Sequence, residues 1–532
     1  MSRVHNKRKY GVKDVSEAVY ENHYDKYIDN PLIQALNAMP DAKDIMNFVS
    51  VRADDILPQL DHKNINVMKY AMADFDKLTA CYPYYLDLSN AIYQGLLKSY
   101  SNKNIIGPKN FNNCKRNKII PKYKELSDIV INEVKPNVIS VIGWSGSGKT
   151  TAVRNLLKWN PQVIIHKNFK DIALNRIQLT WVYVEAPSDG SVISLIQNLL
   201  REIDRLLNFI PNCDKRFVED ILNISKTRIL TSSDVKNELI KIIDIFSIGA
   251  IVIDEVQNLS SLGIGGAPTK YITELMNSVD VCFIMIGTND AENLINSNLR
   301  LTRRFSENMY FSIEPLEKET TWPMLINTLF SMEMINVDDE EKETAGLSCI
   351  EILNGNYIKS KRWRRLSDAL FNVSQGITAI AVSVYKVAVL QSIDHNKVIS
   401  DDEIAYVYNN FFKSLHSTMK LIKKRDEQAL KKAGITDVSF ICHSEVGNYM
   451  SSMMADTLRT QMQEDKLQRK RKLKYQLCMY IEEKYLDVIP NNLIIEIAER
   501  VMNEAKANEY IMDTLINNAE NIIAYEIAAI GN

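Results

Sequence analysis

Residues 138–151 read VISVIGWSGSGKTT, a short apolar run passing into the spacing G-x-x-x-x-G-K-T. Gly143 and Gly148 let the backbone turn tightly enough for successive N–H groups to converge on one anion. Gly146, with the small Ser145 and Ser147, keeps the loop interior clear. Lys149 has the reach for the β and γ phosphates of a nucleoside triphosphate, and Thr150 suits Mg²⁺. The helix beginning there turns its positive end toward the anion. The flanks agree with this reading: Val138 to Ile142 form an expected strand, and Ala152, Val153, Leu156 and Leu157 an amphipathic helix. Gly143, Trp144, Ser145, Gly146, Ser147, Gly148, Lys149, Thr150 and Thr151 are the expected cradle for a nucleoside triphosphate, against the alternative of a chance Gly/Ser-rich turn.

Two further strand ends carry chemistry. AIVIDEVQN (residues 250–258) is an apolar run closing on two acids. Asp254 suits a water-mediated hold on Mg²⁺, and Glu255, one residue further out, suits polarising the water that attacks the γ phosphate. Paired acids at this place imply hydrolysis. CFIMIGTND (residues 282–290) ends in Thr288 and Asn289, which a parallel sheet brings to the same carboxyl edge as the phosphate loop. Asn289 is expected to orient the attacking water or sense the γ phosphate; a turn residue satisfying its own backbone is the alternative. NLRLTRRFSENM then groups Arg300, Arg303 and Arg304 before Phe305. An arginine supplied by a neighbouring copy stabilises charge on a transferring phosphoryl group. Arg304, with Arg303 beside it, is the candidate, against an ordinary exposed basic helix.

A chain of 532 residues, 46% of them hydrophobic, is long enough for several domains with buried cores. Its net charge of −2 gives no global attraction for nucleic acid, so any such contact needs a local patch. The seven cysteines lie far apart with no C-x-x-C pair, which speaks against a zinc site or a disulfide framework. No secretion signal or membrane-spanning run is visible, and a cytoplasmic location is expected.

Apolar residues at three and four spacing predict helices from about residue 30 to 100. SNKNIIGPKNFNNCKRNK (residues 101–118) reads as a linker. Between 119 and 315 the runs VISVIG, QVIIHK, LTWVYVEA, AIVIDE and CFIMIG alternate with helical patterns, as in a parallel sheet covered by helices. After Pro315 helical periodicity dominates. The expected class is α/β, with four regions: a helical segment 1–118, an α/β nucleotide-binding domain 119–315, a helical lid 316–415, and a helical, partly basic region 416–532. The acidic tract DDEEKE (residues 338–343) reads as a solvated helix start.

Taken in order, GWSGSGKT, IVIDE, IMIGTN and LRLTRRF resemble an AAA+ P-loop ATPase core with a helical lid. Within that class QLTWVYVEAPSDGSVISL (residues 178–195), YIDNPLIQAL (residues 27–36) and the lid stretch SQGITAIAVSVYKVA resemble the TniB/TnsC family of transposon-encoded ATPases. The resemblance implies a regulator of DNA transposition that binds double-stranded DNA when loaded with ATP and Mg²⁺. It also implies a homo-oligomer, ring or filament, linking a target-site selector protein to transposase subunits, with hydrolysis controlling disassembly. Partner contacts are implied for the terminal regions. One departure is the lid sequence Ile377-Thr378-Ala379, which lacks the arginine usual near the second sensor.

A filament on DNA repeats small basic contacts in each subunit, so a near-neutral chain is compatible with it. The hairpin-like IIHKNFKDIALNRIQL (residues 164–179) carries His166, Lys167, Lys170 and Arg176. Lys167 and Lys170 are the DNA-binding candidates, the resemblance making this region an inner surface; solvated loop charges are the alternative. IKSKRWRRL (residues 358–366) is read as a Trp363/Leu366 core contact with a solvated basic face, and KLQRKRKLK (residues 466–474) as a basic helix face for DNA or transposase. Two other readings stay open: a replication initiator or helicase loader, and a nucleotide-switched signalling scaffold that needs no DNA.

Overall fold

Strands that are apolar without interruption need cover on both faces, and the fold supplies it. The computed structural model describes residues 14–56, 64–101, 103, 137–210, 232–260, 267–291, 310–332, 361–432, 435, 474, 477–482, 484, 485, 491–504 and 512–530. The chain divides into two compact units, Met1–Asn448 and Tyr449–Asn532.

The strands described in the first unit are β1 (Val15–Glu17), β2 (Asn137–Gly143), β3 (Val163–Phe169), β4 (Ile172–Leu179), β5 (Trp181–Glu185), β6 (Ala250–Asp254), β7 (Cys282–Gly287) and β8 (Tyr310–Ile313). Five of them make one sheet in the order β5-β6-β7-β2-β8, every neighbouring pair parallel. The phosphate loop after β2, the acid pair at the end of β6 and Thr288 after β7 therefore emerge at one edge.

Side chains alternate across a strand, so each apolar run feeds two cores. Ile139, Val141, Ala250, Val252, Cys282 and Ile284 enter one. Val138, Ile142, Ile251, Ile253, Phe283 and Met285 enter the other. The second face is covered by α3 (Val192–Leu207) and α4 (Ser232–Ile245), through Leu199, Ile203, Leu239 and Ile243. The first is covered by α1 (Tyr84–Ser101) and α2 (Lys149–Leu157) and is continuous with α5 (Trp322–Phe330), α6 (Lys361–Ser374), α7 (Thr378–His395) and α8 (Asp401–Phe411). Leu88, Val153, Leu325 and Tyr385 belong to that single core. The helical segment before residue 101 thus shares its core with the sheet and the lid.

Two strand expectations need correction, and one strand was missed. QVIIHK does not join the parallel sheet: β3 pairs antiparallel with β4 and parallel with β1, in a separate three-stranded sheet. LTWVYVEA is two strands in two sheets, with Leu179 closing β4 and Trp181 opening β5. The edge strand β8 escaped the sequence reading, being four residues with alternate burial rather than a continuous apolar run. β3 and β4 do form the hairpin, turning through Lys170 and Asp171 at φ +46° and +65°. Positive φ at both central residues matches the right-handed twist of the flanking strands.

His166 ties this hairpin to the N-terminal segment. Its ring is fully buried; Nδ1 lies 2.9 Å from the Tyr20 hydroxyl and Nε2 lies 2.8 Å from Gln178 Oε1. Gln178 Oε1 only accepts, so Nε2 carries the proton and Nδ1 accepts from Tyr20. Gln178 Nε2 donates onward to the Leu32 carbonyl at 3.1 Å. Burial lowers the His166 pKa below its ordinary 6.5, the Gln178 bond opposing it. The folded state therefore refuses a proton that the unfolded chain accepts, and stability rises with pH through this window. We expect stability to fall below pH 6.5 by up to about 1.4 kcal/mol per unit until the folded pKa is reached. Denaturant midpoints at pH 7.5 and 5.5 test this, and His166→Gln should flatten the difference.

In the second unit α10 (Asn491–Glu504) and α11 (Met512–Ile530) pack Ile494, Ile497 and Val501 with Leu515, Ala519 and Ile523. Of the basic stretch 466–474 only Lys474 is described, and it pairs with Glu499 at 2.5 Å. Among the described residues no helix is long and apolar enough to cross a membrane.

Candidate nucleotide-binding site

β2 ends in Gly143, whose φ is +155°, where an added Cβ would stand 2.1 Å from the Ile313 carbonyl of β8. Glycine is what allows the two strands to stay paired as the chain turns away. The loop then enters α2 through Gly148 at φ +95°, a left-handed cap that aims the free N–H groups of the first turn at the loop's interior. Lys149 is buried and folds back on the loop, its Nζ donating to the carbonyls of Gly143 at 3.0 Å and Trp144 at 2.5 Å.

Thr150 meets the acid pair directly. Its hydroxyl donates to Asp254 Oδ2 at 2.6 Å, and the Tyr183 hydroxyl from β5 donates to the same oxygen at 2.6 Å. Asp254 Oδ1 accepts from the Glu255 backbone N–H at 2.8 Å. Asp254 is thus buried with both oxygens engaged. Burial first, then the hydrogen bond to Asp254, pushes the Tyr183 phenol well above the ordinary tyrosine range, so it remains a donor. The Arg154 guanidinium lies over its ring, 3.9 Å from the centroid. Sequence reading missed Tyr183, which in WVYVE is indistinguishable from any strand aromatic.

Glu255 is exposed and takes φ +54°, a left-handed backbone that costs a non-glycine residue of order 1 kcal/mol. The Gln257 side-chain amide donates to its carboxylate. Thr288 N–H reaches the oxygen of that same amide at 3.2 Å. Asn289 is buried, with neither side-chain polar atom hydrogen-bonded. An amide in that condition costs free energy unless a further polar group reaches it.

Glu255 and Thr288 line a cavity of about 370 Å³, and Gln257 and Asn289 do not. Ser145–Thr151, Asp254, Glu255, Gly287 and Thr288 form its polar end. Leu325 and Leu329 of α5, with Thr378, Ala379 and Val382 of α7, form the lid side. Tyr82, Tyr84 and Tyr85, flanked by Leu78, make an aromatic wall from the N-terminal segment that spacing did not reveal. Ser147 Oγ and Thr378 Oγ1 are buried without a partner in this lining. Orphaned hydroxyls beside a buried ammonium fit an anion with several acceptor oxygens.

The lid touches the loop through backbone. Ala379 N–H donates to the Gly146 carbonyl at 2.9 Å, and a Cβ on Gly146 would stand 3.0 Å from that of Ala379. Where an arginine is usual, this lid seats the first turn of α7 on the phosphate loop. Trp144 departs from the expected cradle: its side chain packs with Ile377 of the lid and with Met419, Ile422 and Leu430, and does not line the cavity. Met419 and Ile422 belong to α9 (His416–Lys424), so residues past 415 reach the back of the loop.

Lys167 and Lys170 are exposed on the hairpin, paired with Glu17 and, at 2.9 Å, with Asp29. Neither lines the cavity. In α6 Trp363 and Leu366 are buried while Arg364 and Arg365 are exposed, the core contact and solvated face expected of that stretch. Arg300, Arg303 and Arg304 lie outside the described residues, as does the tract 338–343.

Residues 133–295 match a family model described as AAA domain. No curated protein matches the chain. Among solved structures it is similar to the ORC2 protein of Aeropyrum pernix, at 13% identity and a TM-score of 0.33, over 74% of this chain and 89% of that one. It is also similar to Cdc6p from Pyrobaculum aerophilum, at 13% identity and 0.31, over 51% and 60%. A third similarity is to domain III of the Thermotoga maritima replication initiation protein DnaA, at 15% and 0.26, over 58% and 94%. With its phosphate loop and acid pair at one edge of a β5-β6-β7-β2-β8 parallel sheet, the chain has an AAA+ P-loop fold.

Proposed function

We propose that this protein hydrolyses ATP in the cavity and uses the ATP-bound state to assemble on double-stranded DNA as a regulator of transposition. The observation carrying the hydrolytic part is the junction of Thr150 and Glu255 on the buried Asp254 carboxylate, one loop away from Lys149. Loop N–H groups and Lys149 bind the phosphates. The aromatic wall offers faces on which a base stacks. Thr150 and Asp254 would hold Mg²⁺, which when bound would neutralise phosphate charge. Glu255 accepts a proton from the attacking water, and Asn289 helps to orient that water. Arg304 or Arg303 of a neighbouring copy stabilises the charge on the transferred phosphoryl group, which makes turnover depend on assembly.

The DNA and transposition parts rest on the resemblance of residues 27–36 and 178–195 to the TniB/TnsC family. In the fold those segments meet: Gln178 donates to the Leu32 carbonyl, and P-S-D-G-S forms the capped entry to α3, with Ser191 N–H on Asp189 Oδ1 at 2.9 Å. Lys167 and Lys170 are the proposed phosphate contacts, released from Glu17 and Asp29 as DNA approaches. Transposase subunits and a target-site selector are the proposed protein partners.

Electron microscopy of the purified chain with ATP, with ADP, and with or without duplex tests the reading. We expect ordered rings or filaments with ATP and duplex together, lost with ADP. Arrays that form equally well without duplex would favour a nucleotide-switched scaffold, and a chain that stays monomeric throughout would end the proposal.

A further inference from the structure

The turn after the acid pair is held from both sides. Glu255 reverses the chain at φ +54°, and residues Val256–Ser260 form a 3-10 turn whose Val256 and Leu259 are buried in the core beneath the sheet. Asn258 Nδ2 donates to the Ala186 carbonyl beyond β5 at 3.1 Å. Gln257 reaches the other way, toward β7. Its Oε1 accepts from Thr288 N–H at 3.2 Å while its Nε2 donates to Glu255 Oε2. Gly287 keeps the space clear, since a Cβ there would stand 3.0 Å from Gln257 Oε1.

We infer that Gln257 is the positioning residue for the Glu255 base, one planar amide linking that carboxylate to the strand end that bears Thr288 and Asn289. An amide cannot move one end without the other, so a displacement of the β7 end is passed to the carboxylate. Contact between a γ phosphate and Thr288 is thereby converted into placement of the base. An ordinary turn amide would use one end or face water; this one bridges two elements. The inference rests on the proposed hydrolytic role of Glu255, and its effect is on kcat rather than on nucleotide affinity, because Gln257 does not line the cavity.

The test measures nucleotide Kd with a fluorescent ATP analogue and single-turnover hydrolysis for Gln257→Ala and Gln257→Glu, each alone and combined with Glu255→Gln. Gln257→Ala should slow hydrolysis about 10- to 100-fold, the scale of a misplaced catalytic group. Its Kd should stay within about twofold. Gln257→Glu matches the shape and keeps an acceptor for Thr288, yet loses the donor and sets a like charge against Glu255; it should be slowed at least as much. In the Glu255→Gln background neither substitution should slow hydrolysis further, since both act through that residue. Unchanged hydrolysis in Gln257→Ala, a fall in affinity parallel to the rate, or the same loss in both backgrounds would overturn the inference. Wild-type hydrolysis in Glu255→Gln alone would overturn the reading beneath it; a dead Glu255→Gln beside a fully active Gln257→Ala sinks the inference only.

Discussion

Glu255→Gln is expected to keep ATP bound with close to wild-type affinity while hydrolysis falls about 10²- to 10⁴-fold, the usual contribution of a positioned general base. The substitution is nearly isosteric, so it leaves the cavity's shape and the Asp254 junction in place. The backbone N–H of residue 255, rather than its side chain, donates to Asp254 Oδ1, and Thr150 and Tyr183 hold Oδ2. What is removed is the acceptor for the water's proton. If hydrolysis controls disassembly, the variant should also persist on duplex DNA with ATP long after wild-type assemblies have dissolved. Phosphate release and the lifetime of DNA-bound particles measure the two effects. Turnover at the wild-type rate would remove Glu255 from the mechanism.

Lys149→Ala is expected to weaken ATP binding by at least about 100-fold, the combined scale of two charge-assisted hydrogen bonds. Two physical losses add here. Among the described residues lining the cavity, Lys149 is the one Lys or Arg, so the phosphates lose their buried cation. The Gly143 and Trp144 carbonyls also lose the donor that folds the loop over itself. Equilibrium titration with a fluorescent nucleotide measures the effect, and DNA assembly should disappear with it. Retained affinity would mean that the loop does not hold the triphosphate. The contrast between the variants is informative: one uncouples binding from turnover, the other removes both.

Much of the site was legible because its chemistry is local in the chain. A phosphate loop is built by consecutive residues, and an acid pair at a strand end needs only the strand and the next residue. The parallel strands were legible because burial on both faces demands apolar residues without alternation. The β1-β3-β4 sheet was not, since a strand's partner is chosen over long separations; β1 is three residues, and its link to β3 includes Tyr20 and His166, 146 positions apart. The place of the Trp144 side chain was not legible for the same reason. Its place in the loop implied a role in the cradle, but Met419 and Ile422, far along the chain, draw the ring into the lid.

From order and spacing alone came the class of fold, the identity of the phosphate loop and the pair Asp254 and Glu255, because those depend on backbone turns and on neighbours within a few residues. Tertiary structure alone decided that Tyr183 braces Asp254, that Gln257 bridges Glu255 to Thr288, and that tyrosines 82, 84 and 85 wall the cavity. The physical reason is that these contacts form where separate elements meet at the carboxyl edge of the sheet. Neither composition nor periodicity encodes which side chains converge there.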